Sequence, residues 1–204
     1  MRARWTQTDR NSVALRVAGG YLLLGSLATA LALALRDEVP WVYPNPWLES
    51  LSPHARLLAS GLFGLVFATA LIVVTRIAVS RFGWARRLHS ELRPVAKDLS
   101  LGHILILAGL SSLGEELLFR GLLTPVAGVL GSAILFGLAH QMKGPSRWVW
   151  TAWATVAGIG LGAIFALTGS LVGPLVAHAV TNAVNLTYLR DHDPQRFLPP
   201  ASGG

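Results

Sequence analysis

The stretch LGEELLFRGLL, residues 113–123, decides the fold class, because it sets two adjacent carboxylates and an arginine directly after an apolar run. The preceding segment, LGHILILAGLSS at residues 101–112, is apolar enough to lie in a lipid bilayer. An ionisable side chain in a bilayer costs about 2.5–3.5 kcal/mol on insertion scales, so such residues are rare there and usually mark function. The stretch therefore predicts a membrane span with a functional site near its end.

The composition places the whole chain in the membrane class. Of its 204 residues, 52% are hydrophobic and only 13% are charged, whereas soluble domains carry about 25% charged residues. Cysteine is absent, which excludes disulfides and thiolate chemistry. The formal charge of +7 does not indicate a nucleic-acid partner, because the basic residues cluster at the ends of apolar segments, where membrane topology explains them.

Six apolar segments are candidates for crossing a bilayer, which takes about 20 helical residues. The predicted spans are Val17–Leu35, Leu57–Thr75, Leu99–Phe119, Gly131–Met142, Trp148–Leu167 and Leu171–Leu189. The fourth is short, and we start it near Gly131 because Pro125 and Gly128 disfavour a continuous helix before that point. We therefore expect an all-α polytopic membrane protein, a single bundle of about six transmembrane helices.

The chain divides into three predicted regions. Residues 1–98 hold two spans and a basic in-plane segment, residues 99–189 form a four-helix core, and residues 190–204 form a disordered tail. The in-plane segment, residues 76–97, has six basic residues and one acid, which is typical of a helix on the cytoplasmic surface. The N-terminus is then cytoplasmic and the third span runs outward, so we expect its far end, with the site, to open toward the outer side.

Polar side chains from three predicted spans fall in one layer of the bilayer. At a rise of 1.5 Å per residue, Glu115 lies about 9 Å below the outer surface, His140 about 14 Å, and His178 and Asn182 about 10 and 16 Å. Asn182 follows His178 by four residues and Asn185 by seven, so the three share one helix face. We expect that face to point into the bundle.

These groups are suited to activating water against a carbonyl. A desolvated glutamate can act as a general base near neutral pH, and histidine can share or shuttle the proton. An imidazole and an amide N–H can stabilise an oxyanion. Arg120 follows Glu116 by four residues and is expected to pair with it, which leaves Glu115 for the chemistry.

Three short motifs in this order resemble the CPBP family, which includes CAAX prenyl endopeptidases, bacteriocin-processing enzymes and Abi-type immunity proteins. EELLFR at residues 115–120 fits EExxxR, FGLAH at 136–140 fits FxxxH, and HAVTN at 178–182 fits HxxxN. The resemblance covers about residues 99–189. It implies a glutamic-type intramembrane endopeptidase that acts on a membrane-tethered protein or peptide, in a multi-pass protein of a bacterial inner membrane.

The family resemblance also assigns roles by motif position. Glu115 would be the catalytic glutamate and His140 its partner in activating water, with His178 and Asn182 on the oxyanion side. The supporting residues would be Glu116, Arg120, Phe136 and Asn185.

Metal dependence is an open alternative at this point. Glu115, His140 and His178 could form a three-ligand site with one open position, as catalytic zinc requires. The sequence has no HExxH motif, and we favour a metal-free mechanism in which glutamate and histidine activate water without a cofactor.

Several functions remain for such a chain. A site that opens outward favours the processing of C-terminal anchors of exported proteins, as in sortase-like members of the family. CAAX-type prenyl-protein processing needs a cytoplasmic opening and ranks second. The alternatives from other classes are a non-catalytic Abi-like immunity or scaffold protein and a small-solute carrier, although no inverted repeat supports the carrier.

Overall fold

The computed structural model describes residues 7–44 and 46–194, and this part of the chain is almost entirely helical. Its only extended pairing is an isolated bridge between Val42 and Ser170. The α-helices are α1 Gln7–Arg36, α2 Pro53–Arg81, α3 Gly83–Ala96, α4 Leu101–Glu116, α5 Thr124–Ala139, α6 Arg147–Thr168 and α7 Val172–Asp191, with a π-helical segment Leu117–Leu123 between α4 and α5. The predicted all-α fold is confirmed.

Four helical stretches are long and apolar enough to cross a membrane. Within the described residues they are Arg16–Arg36, Pro53–Arg81, Leu101–Ala139 and Arg147–Thr168. The third has 39 residues, about twice the length that one crossing needs, and it contains the turn described next. α7 has the length of a span but is less apolar, because it bears the polar face that includes His178. The six predicted spans thus correspond to all the α-helices except α3.

The chain reverses direction at Gly128, whose backbone (φ 72°, ψ 172°) is one that side-chain-bearing residues rarely adopt. After the turn the chain runs back beside the π-helical segment. Ser132 donates a hydrogen bond to the carbonyl oxygen of Phe119 at 2.6 Å, and the rings of Phe119 and Phe136 lie 5.0 Å apart. This hairpin brings the FxxxH motif back to the EExxxR motif.

The predicted boundaries need three corrections. The fourth span was expected at Gly131–Met142, whereas the helix that follows the break at Gly128 ends at Ala139, so that His140 caps the helix rather than lying inside it. α2 continues to Arg81, six residues past the predicted end, and only α3 is a separate amphipathic helix. The tail does not begin at residue 190, because α7 continues to Asp191; its residues 195–204 lie outside the described part of the chain.

Two close helix crossings fix the positions of the outer helices. A Cβ added at Gly114 of α4 would lie 2.6 Å from the carbonyl oxygen of Tyr21 in α1, and Gly25 of α1 faces the same glycine. Gly64 of α2 meets Gly173 of α7 backbone to backbone. Small residues allow this approach in membrane bundles, so α1 is held directly against the helix that bears the two glutamates.

The loop of residues 37–52 covers one end of the bundle. Arg36, at its start, donates to the carbonyl oxygen of Gly121 at 2.6 Å. The backbone N–H of Tyr43 donates to Gly169, and that of Leu171 donates to Trp41. This loop is therefore an ordered cap over the π-helical segment and the junction of α6 with α7.

At the other end, α3 lies across the bundle and is tied to its neighbours by polar contacts. These are His89 Nε2 to the His192 carbonyl oxygen (2.9 Å), the Ser146 N–H to Glu91 Oε2 (3.2 Å), and Arg93 to Asp193 (3.6 Å). α2 ends, α6 begins and α7 ends at this side. The predicted basic segment thus marks the end of the bundle opposite the 37–52 loop.

Candidate active site

The carboxylate of Glu115 lies between the two motif histidines. Its Oε2 is 3.5 Å from Nε2 of His140 and 3.8 Å from Nε2 of His178. α4, the end of α5 and α7 supply one group each, and the reversal at Gly128 is what brings His140 to this position. The predicted meeting of three helices in one polar layer is therefore present in the structure.

Glu116 lies on the buried side of the same turn and is paired through one of its two carboxylate oxygens. Its Oε1 accepts from Arg120 at 2.9 Å and from Nδ1 of His178 at 2.7 Å. Arg120 also donates to the carbonyl oxygen of Gly158 at 3.1 Å, and both charged side chains are at most 1% exposed. The predicted pairing of Glu116 with Arg120 is present, and it leaves Glu115 as the carboxylate that faces the cavity.

The π-helical segment Leu117–Leu123 begins directly after this glutamate pair. A π-helix inserts an extra residue per turn and is found frequently at functional sites. Here it follows the two carboxylates and contains Arg120. No periodicity in the sequence indicated it.

Hydrogen bonds at the Nδ1 atoms of His140 and His178 fix the tautomer and the orientation of each imidazole relative to Glu115. Nδ1 of His140 lies 2.8 Å from the carbonyl oxygen of Phe136, which can only accept, so this nitrogen bears the proton. Nδ1 of His178 in the same way donates to the carboxylate of Glu116. In its neutral form each histidine therefore turns an Nε2 lone pair toward Glu115, whose Oε2 has no hydrogen-bond partner.

The ring of Phe136 packs between His140, His178 and Arg120. Its ring centre lies 4.3 Å from that of His140 and 5.8 Å from that of His178, and the guanidinium of Arg120 sits 4.5 Å over its face. The side chain is 3% exposed. The ring therefore packs against both imidazoles and the guanidinium, and this packing holds the three side chains in place.

The two asparagines of α7 have different surroundings. Asn182 donates to the hydroxyl of Ser111 at 3.3 Å and lines the cavity beside Glu115. Asn185 accepts from Arg76 of α2 at 3.1 Å and lies one helical turn farther along the same cavity. Asn182 is thus bonded to α4 one turn before Glu115, whereas Asn185 links α7 to α2.

The structure adds two polar residues that the motifs did not indicate. Tyr21 of α1 lines the same cavity as Glu115. Ser111, one turn before Glu115, is the hydrogen-bond partner of Asn182. A tyrosine alone in an apolar span was the one signal that could have indicated Tyr21, whereas nothing distinguished Ser111 from other serines.

The site opens into a cavity of about 400 Å³ that extends toward α3. From Glu115 it follows the second half of α7 as far as Leu189, the first half of α6 from Trp150 and the last turns of α2 as far as Val79. Leucine, alanine, tryptophan and valine side chains make most of the wall, and α3 contributes Trp84, Ala85, Leu88, His89, Leu92 and Val95.

The direction of this cavity corrects the prediction of an outward-facing site. Glu115 lies 14 residues after the start of α4, about 21 Å along the helix, but the space beside it leads back toward the end that α3 covers. The opposite end is covered by the 37–52 loop. The basic residues of segment 76–97 predict that α3 lies on the cytoplasmic side, so the cavity leads toward the side that is expected to be cytoplasmic.

The residues that could hold a metal do not form a ready-made coordination site. Two imidazoles and a carboxylate are donors that zinc accepts, and Glu115 is near both histidines. Among the described residues, however, no group of three or more histidine, aspartate or glutamate side chains has an arrangement that could hold a metal ion. The donor types fit zinc, and the metal-free mechanism stays a prediction.

Comparison with known proteins identifies the segment that contains the site. Residues 97–184 match the family described as "Type II CAAX prenyl endopeptidase Rce1-like". The chain is also 32% identical over 91 residues to "Uncharacterized protein YpbD" of Bacillus subtilis (strain 168). That match covers 45% of this chain and 48% of the relative, so the chain spans about half the length of the curated relative. No solved structure gives a significant match.

The matched segment begins just before α4 and ends within α7. It therefore contains all three motifs and every residue that meets at Glu115 except Tyr21. Residues 97–184 are therefore similar to this endopeptidase family, in the segment where the motifs indicated a resemblance.

Proposed function

We propose that this protein is a CAAX-type intramembrane endopeptidase of a bacterial cytoplasmic membrane, which hydrolyses a peptide bond near the C-terminus of a protein tethered to the inner leaflet. One observation supports this most strongly. The carboxylate between two histidines lies in the wall of a largely apolar cavity, and that cavity extends to the end of the bundle that α3 covers, which the basic residues predict to be cytoplasmic. The orientation favours CAAX-type processing over the trimming of exported anchors.

Activation of water is the chemistry that these contacts suit. Glu115 Oε2 and the Nε2 atoms of His140 and His178 are all hydrogen-bond acceptors when the histidines are neutral. Three acceptors that face one point need a hydrogen-bond donor between them, and the water that attacks the substrate is such a donor. Glu115 then takes a proton from the water as the oxygen attacks the scissile carbonyl carbon, and that proton passes to the leaving amine.

The charges of the buried site favour the transfer of a proton to Glu115. Glu115 and Glu116 bring two negative charges, whereas Arg120 brings one positive charge, so one charge is uncompensated. The proton that Glu115 takes from the water balances it. The second amide hydrogen of Asn182, beyond the one donated to Ser111, is a donor for the developing oxyanion.

The test is cleavage of a defined peptide by purified protein in lipid vesicles. We expect the wild type to release the last three residues from a fluorogenic peptide with an S-farnesyl cysteine at the CAAX position, with mass spectrometry showing the cleaved bond. Glu115→Gln keeps the shape of the side chain but removes the base, so turnover should fall by about 10²–10⁴-fold. Glu49→Gln, in the exposed loop at the opposite end, is the matched control and should retain full activity.

The outcomes separate the candidate functions. Retained turnover in Glu115→Gln excludes Glu115 as the base. Cleavage of a peptide with an apolar C-terminal anchor but not of the farnesylated peptide favours anchor processing. A well-folded wild type that cleaves neither peptide favours a non-catalytic immunity or scaffold protein.

A further inference from the structure

Glu115 differs from Glu116 in what holds its carboxylate. Glu116 has a guanidinium and an imidazole as direct partners, whereas the closest cationic or imidazole nitrogens to Glu115 lie at 3.5 and 3.8 Å, too far for a good hydrogen bond. The last torsion of a glutamate is broad and roughly two-fold. The orientation of the Glu115 carboxylate therefore needs a partner from outside the three motifs.

Tyr21 occupies the position of that partner. Tyr21 and Glu115 line the same cavity, and the backbone of Tyr21 packs against Gly114, the residue before Glu115. The ring of Tyr21 forms part of the cavity wall and also borders a second, lipid-facing groove between α1 and α4. The phenol thus stands where the polar site meets the apolar face of the bundle.

The backbone around Tyr21 is fixed by the closest crossing of α1 with α4. Gly114, the residue before Glu115, has no room for a side chain, because a Cβ there would lie 2.6 Å from the Tyr21 carbonyl oxygen. Gly25, one turn after Tyr21, packs against Gly114 and Leu117 in the same way. The backbone of α1 at Tyr21 is therefore held against α4 next to Glu115, and the phenol has little freedom to move away from the carboxylate.

We propose that Tyr21 is a positioning residue that donates a hydrogen bond to the Glu115 carboxylate and keeps Oε2 turned toward His140 and His178. The phenol has one O–H to donate, and a hydrogen bond to an ionised acceptor is stronger than one between neutral groups. Tyr21 lies outside the segment that matches the endopeptidase family. In this protein the first span thus completes a site whose other members come from residues 111–182.

The contact can be tested without any substrate. The chain has three tyrosines, Tyr21, Tyr43 and Tyr188, so protein labelled with ¹³C at the tyrosine Cζ gives three resonances, and the loss of one in Tyr21→Phe assigns it. We expect the Tyr21 resonance to move in Glu115→Gln and to stay in place in the control Glu49→Gln. A Tyr21 resonance that is the same in Glu115→Gln and wild type would overturn the proposal.

The effect on the reaction rests on the proposed function and is measured with the same farnesylated peptide. Tyr21→Phe keeps the ring and should melt at the wild-type temperature, while kcat falls about tenfold and KM changes less than twofold. The acid side of the pH–rate profile should move to higher pH, because a donor to a carboxylate favours its ionised form. Tyr43→Phe, whose ring packs on Phe165 at the opposite end, should match wild type in all three.

The proposed endopeptidase function and the positioning role of Tyr21 are contradicted by different results. A wild type without turnover contradicts the proposed function, and the resonance still decides whether Tyr21 holds Glu115. An active wild type with Tyr21→Phe kinetics and a pH profile equal to those of Tyr43→Phe contradicts the positioning role alone.

Discussion

Replacing Glu116 and Arg120 by alanine, singly and together, gives a quantitative test of the buried pair. The two side chains meet at 2.9 Å, and their side-chain exposure is 0% and 1%. Removing either one leaves the other charge buried without its main partner, which costs about 3–5 kcal/mol of unfolding free energy. The double replacement removes both charges at once, so its loss should be smaller than the sum.

The contacts around the pair set the size of the expected coupling. Two independent losses would add to about 6–10 kcal/mol. We expect the double variant to lose about 2–3 kcal/mol less than the sum, near the upper range for residues in direct contact. The double variant stays below wild type, because His178 still loses its acceptor and the carbonyl oxygen of Gly158 its donor.

The measurement is an unfolding titration in mixed micelles, followed by circular dichroism, for wild type and the three variants. The control is the same cycle for Arg190 and Asp191, an exposed pair of neighbours at 2.7 Å, for which we expect no measurable coupling. Additive losses for Glu116 and Arg120 would show that the pair does not act as a unit and would refute the reasoning.

Three further predictions concern orientation, acid and metal. Since the chain has no native cysteine, Ser50→Cys should react with an impermeant maleimide from outside intact cells, and Arg87→Cys only after permeabilisation. Burial lowers the pKa of His89, and the facing charges of His192, Arg76 and Arg93 lower it further. The contact of His89 with α7 therefore contributes stability above about pH 6.5, and this stability is lost as the pH falls. Hydrogen exchange in α3 should become faster on acidification of the wild type, whereas in His89→Asn the exchange rate should not change with pH. A metal-free mechanism predicts less than about 0.1 metal ion per chain and full turnover with a chelator, against about one ion for a zinc site.

Each of these predictions has a contrary result. Labelling of Arg87→Cys but not Ser50→Cys from outside would reverse the orientation and restore the processing of exported proteins. Exchange in α3 that does not respond to pH, or responds equally in His89→Asn, would remove the role of the histidine. Stoichiometric zinc whose removal stops turnover would replace the glutamate mechanism.

Much of the fold and of the site could be predicted from local patterns. Hydropathy located the spans, since a helix in lipid has to satisfy its own backbone and present apolar side chains. The spacing of four residues predicted the contact of Glu116 with Arg120. Pro125 and Gly128 indicated a break between two helices, and the reversal occurs at Gly128.

The direction of the cavity could not be predicted in the same way. Counting residues along α4 gave the depth of Glu115 but not the side from which it is reached. That side depends on what covers each end, and the covers are the 37–52 loop and α3, both distant in sequence from the motifs. The partner of Glu115 was missed for the same reason, because Tyr21 is 94 residues away from it.

The sequence by itself determined the class of protein, the three motifs and the groups that take part in the site, because each of these depends on composition or on spacings within one helix. Only the tertiary structure decided which carboxylate is paired by His178, which nitrogen each imidazole turns to Glu115, and that the cavity opens beside α3. These features depend on how separate helices cross, and helix crossings are set by close contacts such as Gly114 against Tyr21, which no periodicity along the chain records.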